Sequence, residues 1–196
     1  MYDLNAPGWR NWFYAMVSNT IGGNPMRVRI PPPVPLRTLG PVGGPSLQER
    51  FAPEGRCFGC GPANDLGLQI KSFEAGDGTV VAEWRARPEH EAFDGYVNGG
   101  ILGTLIDCHS NWTAISALMA SGWATAAPST VTADLSVRFR RPTPSTRPLR
   151  LVGRAVEVAP DRVTVETSIE VDGEVTARGR ATFVPVKADH PAFGRW

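Results

Sequence analysis

From residue 66 onward, hydrophobic and polar positions fall into recognisable periods. The segments "LGLQIKSF" and "GTVVAEWRA" are short and rich in strand formers, and "EAGDG" between them predicts a hairpin. Over Ile101 to about Ala120 the period changes. Ile101, Leu105, Cys108, Trp112, Ile115 and Met119 recur at steps of four and three, which predicts a helix. Most of its other positions are small or apolar too, so the helix is expected to be wrapped by structure rather than half exposed. "VTADLSVRFR" then alternates, with Val131, Ala133, Leu135, Val137 and Phe139 on one face. Thr132, Asp134, Ser136, Arg138 and Arg140 take the other. Three more strands are predicted near 149–158, 162–171 and 174–184. "APDR" joins the first two and the hairpin pair Asp172-Gly173 joins the last two. A hairpin, one long buried helix and four antiparallel strands make an α+β chain. One sheet curling around one central helix is the simplest way to bury that helix.

Residues 1–50 follow no such period and read as an N-terminal Pro/Gly-rich extension to a domain over 51–196. "GWRNWFYAMVSNTIGG" predicts one short helix with Trp9, Trp12, Phe13 and Met16 as its apolar side, expected to pack on the protein's own domain or a neighbouring subunit. "RIPPPVPLRTLGPVGGPS" is too rich in proline and glycine for a packed helix or central strand and reads as a linker. Its Arg29, Pro32 and Pro35 match a polyproline-ligand pattern of a kind that arises easily in such linkers.

Charge narrows the function. Lys and Arg number 20 against 19 Asp and Glu, so no long-range field points to nucleic acid or to an anionic membrane. No apolar run reaches the roughly 20 residues that span a bilayer, and the start lacks a secretory pattern. Three cysteines argue against a disulfide framework and for a reducing compartment. The expectation is a soluble cytoplasmic protein.

The chemistry concentrates at one carboxylate. Between Asp94 and Asp134 the sole Asp, Glu, Lys or Arg is Asp107, where the chain's average density predicts about eight. Burying an unpaired carboxylate costs several kcal/mol or raises its pKa, which folding alone gives no reason to accept. Asp107 is therefore read as a catalytic acid or base at a cleft. The bland reading has it facing solvent or accepting amides of a neighbouring strand. Asn98-Gly99-Gly100 stands where the helix begins: Asn98 suits an N-cap, and the glycines let a ligand approach free amides at the positive end of the helix dipole. Oxyanion donors and a carboxylate on one helix are the equipment for acyl transfer.

"GYVNGGILGTLID", "TADLSVRFRRPTP" and the upstream "CFGCGPANDLGLQI" together resemble the PaaI-like acyl-CoA thioesterases of the hotdog superfamily, over roughly residues 55–186. That resemblance implies a hotdog fold, an antiparallel sheet around the central helix, with homodimers or dimers of dimers and active sites at the dimer interface. It implies hydrolysis of an acyl-CoA or acyl-carrier-protein thioester without metal or cofactor. Asp107 would be general base or nucleophile, the Gly99 N–H would polarise the carbonyl, and Thr132 would come from the partner subunit. The family usually has His where this chain has Asn98, and Asn keeps a donor but does not titrate near neutral pH. A non-catalytic acyl-CoA-binding protein is thus the alternative, and a hotdog hydratase or dehydratase a third reading.

Other signals weigh less. Cys57 and Cys60 form a C-x-x-C, but zinc asks for four ligands and no second such pair exists, so loop packing is the expectation. His109 lies two residues after Asp107, on a different helix face, and reads as a core or interface histidine. His90 is placed at the entrance to the site. Gly100 is assigned to substrate binding with Arg138, Arg140 and Arg141, which meet CoA phosphates or form a solvated strand face.

Overall fold

The computed structural model describes residues 44–194. The aromatic segment, the polyproline pattern and most of the extension expected over 1–50 lie outside the described residues. In chain order the elements are α1 (Leu47–Phe51), β1 (Phe73–Glu74), β2 (Thr79–Trp84), a 3-10 turn (Pro88–His90), β3 (Glu91–Phe93), β4 (Tyr96–Val97), α2 (Gly99–Ala120), β5 (Thr130–Phe139), β6 (Leu149–Ala159), β7 (Arg162–Val171) and β8 (Glu174–Pro185). Packed structure reaches back to Ser46, ahead of the boundary expected at 51, because Ser46 caps α1 and Leu47 and Gln48 are buried with it.

Six strands form one antiparallel sheet in the order β1-β2-β6-β7-β8-β5, and the long helix α2 packs across it from β2 to β5. This is the hotdog arrangement. The register explains how the helix comes so close. Gly153 of β6 pairs with Thr167 of β7, which pairs with Gly179 of β8. Along that row α2 sets down Thr113 over Gly153, Ser110 bonded to Thr167 at 2.7 Å, and Ile106 over Gly179. A Cβ at Gly153 would stand 2.3 Å from Thr113 Oγ1, and one at Gly179 would stand 2.2 Å from Ile106 Cγ2. The two strand glycines are the groove in which the helix lies.

Gly179→Ala is therefore expected to cost about 1–3 kcal/mol, seen as a lower urea midpoint, since Ile106 is fully buried and has nowhere to move.

The helix carries buried polar groups, and each is answered. His109 is fully buried; its Nε2–H donates to the Val80 carbonyl at 3.0 Å and its Nδ1 accepts from Ser72 Oγ at 2.9 Å. Gln48 Nε2 donates to that same Ser72 hydroxyl at 3.0 Å. Burial holds the imidazole pKa down at about 4, so the ring is neutral and belongs to the core. Thr130 donates to Asn111 and Ser116 to Glu74.

Three expectations change. The strand over 66–73 shortens to β1, because the preceding residues bond to a turn instead: Leu68 N–H donates to the Phe58 carbonyl and Ile70 N–H to that of Gly59. A small hairpin of β3 and β4 appears where strands of three and two residues are too short to show a period. The alternation over β5 also breaks. Thr132 pairs with Phe183 and Asp134 with Thr182, so Ala133 is a bulge. Beyond it Leu135, Val137 and Phe139 oppose Ala181, Gly179 and Ala177, the face toward α2. Thr132, opposite the buried Phe183, shares that face; it does not lie with Asp134, Ser136 and Arg138. No helix among the described residues is long and apolar enough to cross a membrane.

Candidate active site

Asp107 sits near the middle of α2, half-buried, and the bulge decides its partner. With Thr132 turned to the helix side, its hydroxyl donates to Asp107 Oδ1 at 2.9 Å. The contact is made within one chain, which corrects the expectation that Thr132 arrives from a partner subunit. No Lys or Arg bridges to Asp107 among the described residues. Burial pushes its pKa up, the Thr132 hydrogen bond pulls it back, and the neighbouring Cys57 adds a further upward push. A carboxylate in this setting holds a more basic lone pair than a solvated one, which suits proton abstraction or attack on a carbonyl.

At the start of α2, Asn98 acts as the expected cap. Its Oδ1 accepts from Gly100 N–H at 2.7 Å and its own N–H donates to the His90 carbonyl at 2.8 Å. The Gly100 donor is thus already engaged. Gly99 N–H, at the first helical position, has no intrahelical acceptor and stands at the positive end of the dipole. The ring of Phe139 lies over Gly99, with Cζ 3.3 Å from where a Cβ would be. Gly103, midway between Gly99 and Asp107, leaves the helix surface bare.

The donor and the carboxylate do not meet within one chain. Eight residues of helix at 1.5 Å each separate them by about 12 Å, whereas reacting groups must come within roughly 3 Å. Asp107 is tied to the beginning of β5 through Thr132, and Gly99 to its end through Phe139. Among the described residues β5 is an edge strand with no partner on its outer side, and Leu135 and Phe139 are each about two-fifths exposed (39% and 41%).

The remaining expected residues fall in two groups. His90 is not an open entrance group: it is 5% exposed, its ring stacks on Trp84 at 5.0 Å, and its Nδ1 accepts from Arg87 N–H. Its role in the fold is to hold Asn98 through its carbonyl. Of the arginines, Arg141 is committed to an ion pair with Glu174. Arg138 is exposed on the sheet face away from α2, directly across from Arg178, and neither it nor Arg140 has an ion-pair partner among the described residues.

Sequence periodicity missed one feature. Cys57 and Cys60 from the turn and Cys108 from α2 bring their sulfurs together, all within 4.8 Å, beside the carboxylate. The helical spacing reads Cys108 as an apolar core position, and only the fold shows what it faces.

No protein-family model matches this chain, and no curated protein does. Among solved structures, a thioesterase superfamily protein from Shewanella loihica is 32% identical, with a TM-score of 0.52 over 64% of this chain and 98% of its own. The chain belongs to the thioesterase superfamily. A second thioesterase superfamily protein is 28% identical with a TM-score of 0.55, and the match spans 66% of this chain and 60% of that longer one. The PaaI protein from the phenylacetic acid degradation operon of Escherichia coli is 15% identical, with a TM-score of 0.52, and shares the fold. For a member of this superfamily, the half-buried carboxylate on the central helix is the group that stands out chemically.

Proposed function

We propose that the chain hydrolyses the thioester of an acyl-CoA, or of an acyl carrier protein, with Asp107 as general base or nucleophile. The observation that carries the reading is the carboxylate itself: half-buried, raised in pKa by desolvation, and oriented by one hydroxyl from Thr132. Gly99 N–H is the donor to the developing oxyanion, worth about 10²–10³ in kcat for one such group.

Because the two groups stand apart on one helix, the site is composite and the protein a homodimer. A two-fold pairing of β5 with β5 of a second copy runs the strands antiparallel. Centred near Leu135 and Ser136, it sets Phe139 of one copy across from Thr132 of the other. Gly99, under Phe139, then approaches the partner's carboxylate, held by the partner's threonine. The exposed apolar side chains and open edge of β5 support this pairing. Arg138 and Arg140, without ion-pair partners among the described residues, are the cations for the phosphates of CoA. The hydratase reading is weaker, since His109 is locked in the core and His90 is buried against Trp84.

The test is thiol release from a panel of short, long and aromatic acyl-CoAs, with a blank lacking substrate because the protein's own cysteines react with thiol dyes. Turnover of at least one thioester is expected. Tight binding without turnover supports the non-catalytic alternative, with Asn98 in place of His as its mark, and reversible hydration of an enoyl-CoA supports the third.

A further inference from the structure

Three cysteines are all that the sequence contains, and the fold collects every one of them at one point. Two come from the turn Cys57-Phe58-Gly59-Cys60-Gly61 and the third from α2. Cys57 Sγ lies 3.6 Å from Cys108 Sγ, and each of the three sulfurs is within 4.8 Å of the others. Sulfurs bound to one zinc ion at about 2.3 Å stand roughly 3.8 Å from one another, so the cluster needs little adjustment to close on an ion.

The surroundings are shaped to this cluster. A Cβ at Gly59 would stand 2.3 Å from Cys108 Sγ, so the turn passes close to that sulfur only because residue 59 has no side chain. Gly61 donates its N–H to the Cys57 carbonyl at 2.8 Å, and a Cβ there would strike the Cys57 nitrogen and the Gly55 oxygen at 2.5 Å. The amides of Gly59 and Cys60 face Cys57, and Trp112 Nε1–H donates to Cys60 Sγ at 3.3 Å. Cys60 and Cys108 are buried, while Cys57 opens to solvent.

We infer that Cys57, Cys60 and Cys108 form a binding site for a thiophilic d10 cation, zinc being the representative. On binding, three sulfur–metal bonds form, the thiol protons leave to buffer, and the ion sheds water. No electron is transferred. Three thiolates fill three of zinc's four positions, and water completes the set from the exposed side at Cys57. A C-x-x-C alone supplies half a zinc site; the helix cysteine turns it into one that holds the ion. The thioester chemistry and this site stand or fall separately.

Full-length protein, reduced, stripped with chelator and desalted, is titrated with zinc chloride and, for its ultraviolet thiolate charge-transfer band, with cadmium chloride. One cation per chain is expected, with three thiols shielded from a thiol dye in the folded protein. Cys57→Ser, at the surface, and Cys108→Ser, in the core, are each expected to weaken binding by about a hundredfold or more. Circular dichroism confirms that both variants remain folded, and Cys57→Ser alone suffices if the other does not. Absence of the cadmium band, thiols equally reactive with zinc present, or Cys57→Ser binding as tightly as the parent overturns the site.

Discussion

Asp107→Asn is expected to lower kcat for thioester hydrolysis by at least about a hundredfold, near 2.7 kcal/mol of transition-state stabilisation, with KM little changed. The substitution is nearly isosteric and leaves an oxygen to accept from Thr132, so the site keeps its shape and loses only its basic lone pair. Stability is expected to hold or rise, because a half-buried charge is removed. A stable but inactive variant thus separates chemistry from folding, and one that keeps full turnover removes Asp107 from the mechanism. Thr132→Val gives the companion signature. The Thr132 hydrogen bond holds the carboxyl pKa down against desolvation, so its loss lets the pKa rise. A base must be deprotonated to act, so the acid limb of the kcat profile moves to higher pH. A structural role for Thr132 would lower activity without moving that limb.

The second large effect is rescue by mixing. Gly99→Pro removes the one donor assigned to the oxyanion while respecting the backbone: proline is accepted at the first helical position, and Asn98 already holds the extended conformation that a following proline requires (φ −61°, ψ 136°). Alone, it is expected to lose about 10²–10³ in kcat. Combined by co-refolding with Asp107→Asn, it forms mixed dimers in which one site joins an intact Gly99 to an intact Asp107 and the other site has neither. Activity well above either inactive parent is expected, up to about a quarter of the native rate when the chains mix at random. If each site were built within one chain, every site in the mixture would carry a defect and no activity would return. The 12 Å that the helical rise puts between the two residues is what makes rescue the expected result.

The elements that periodicity can see were legible in the sequence. The helix over 101–120 and the strands near 149–158, 162–171 and 174–184 are long enough to repeat their pattern, and the observed elements differ from them by one or two residues at their ends. Asp107 stood out for an equally local reason, as the single charge in an uncharged stretch. The expectation for Thr132 put it on the wrong face of its strand. One bulge residue, Ala133, inverts the alternation, and a bulge is set by register against β8 rather than by anything in β5 alone.

A buried helix with one carboxylate lying against antiparallel strands is written in the chain residue by residue, as burial and period. So is the cap at Asn98, since capping depends on neighbours along the chain. It takes the folded chain to show that Thr132 turns to the carboxylate, that Gly153 and Gly179 form the bed of the helix, that His90 is buried, and that Cys108 joins Cys57 and Cys60. Each of these depends on contacts between residues far apart in sequence, fixed by strand register and by which side chains leave room, and no local pattern encodes that.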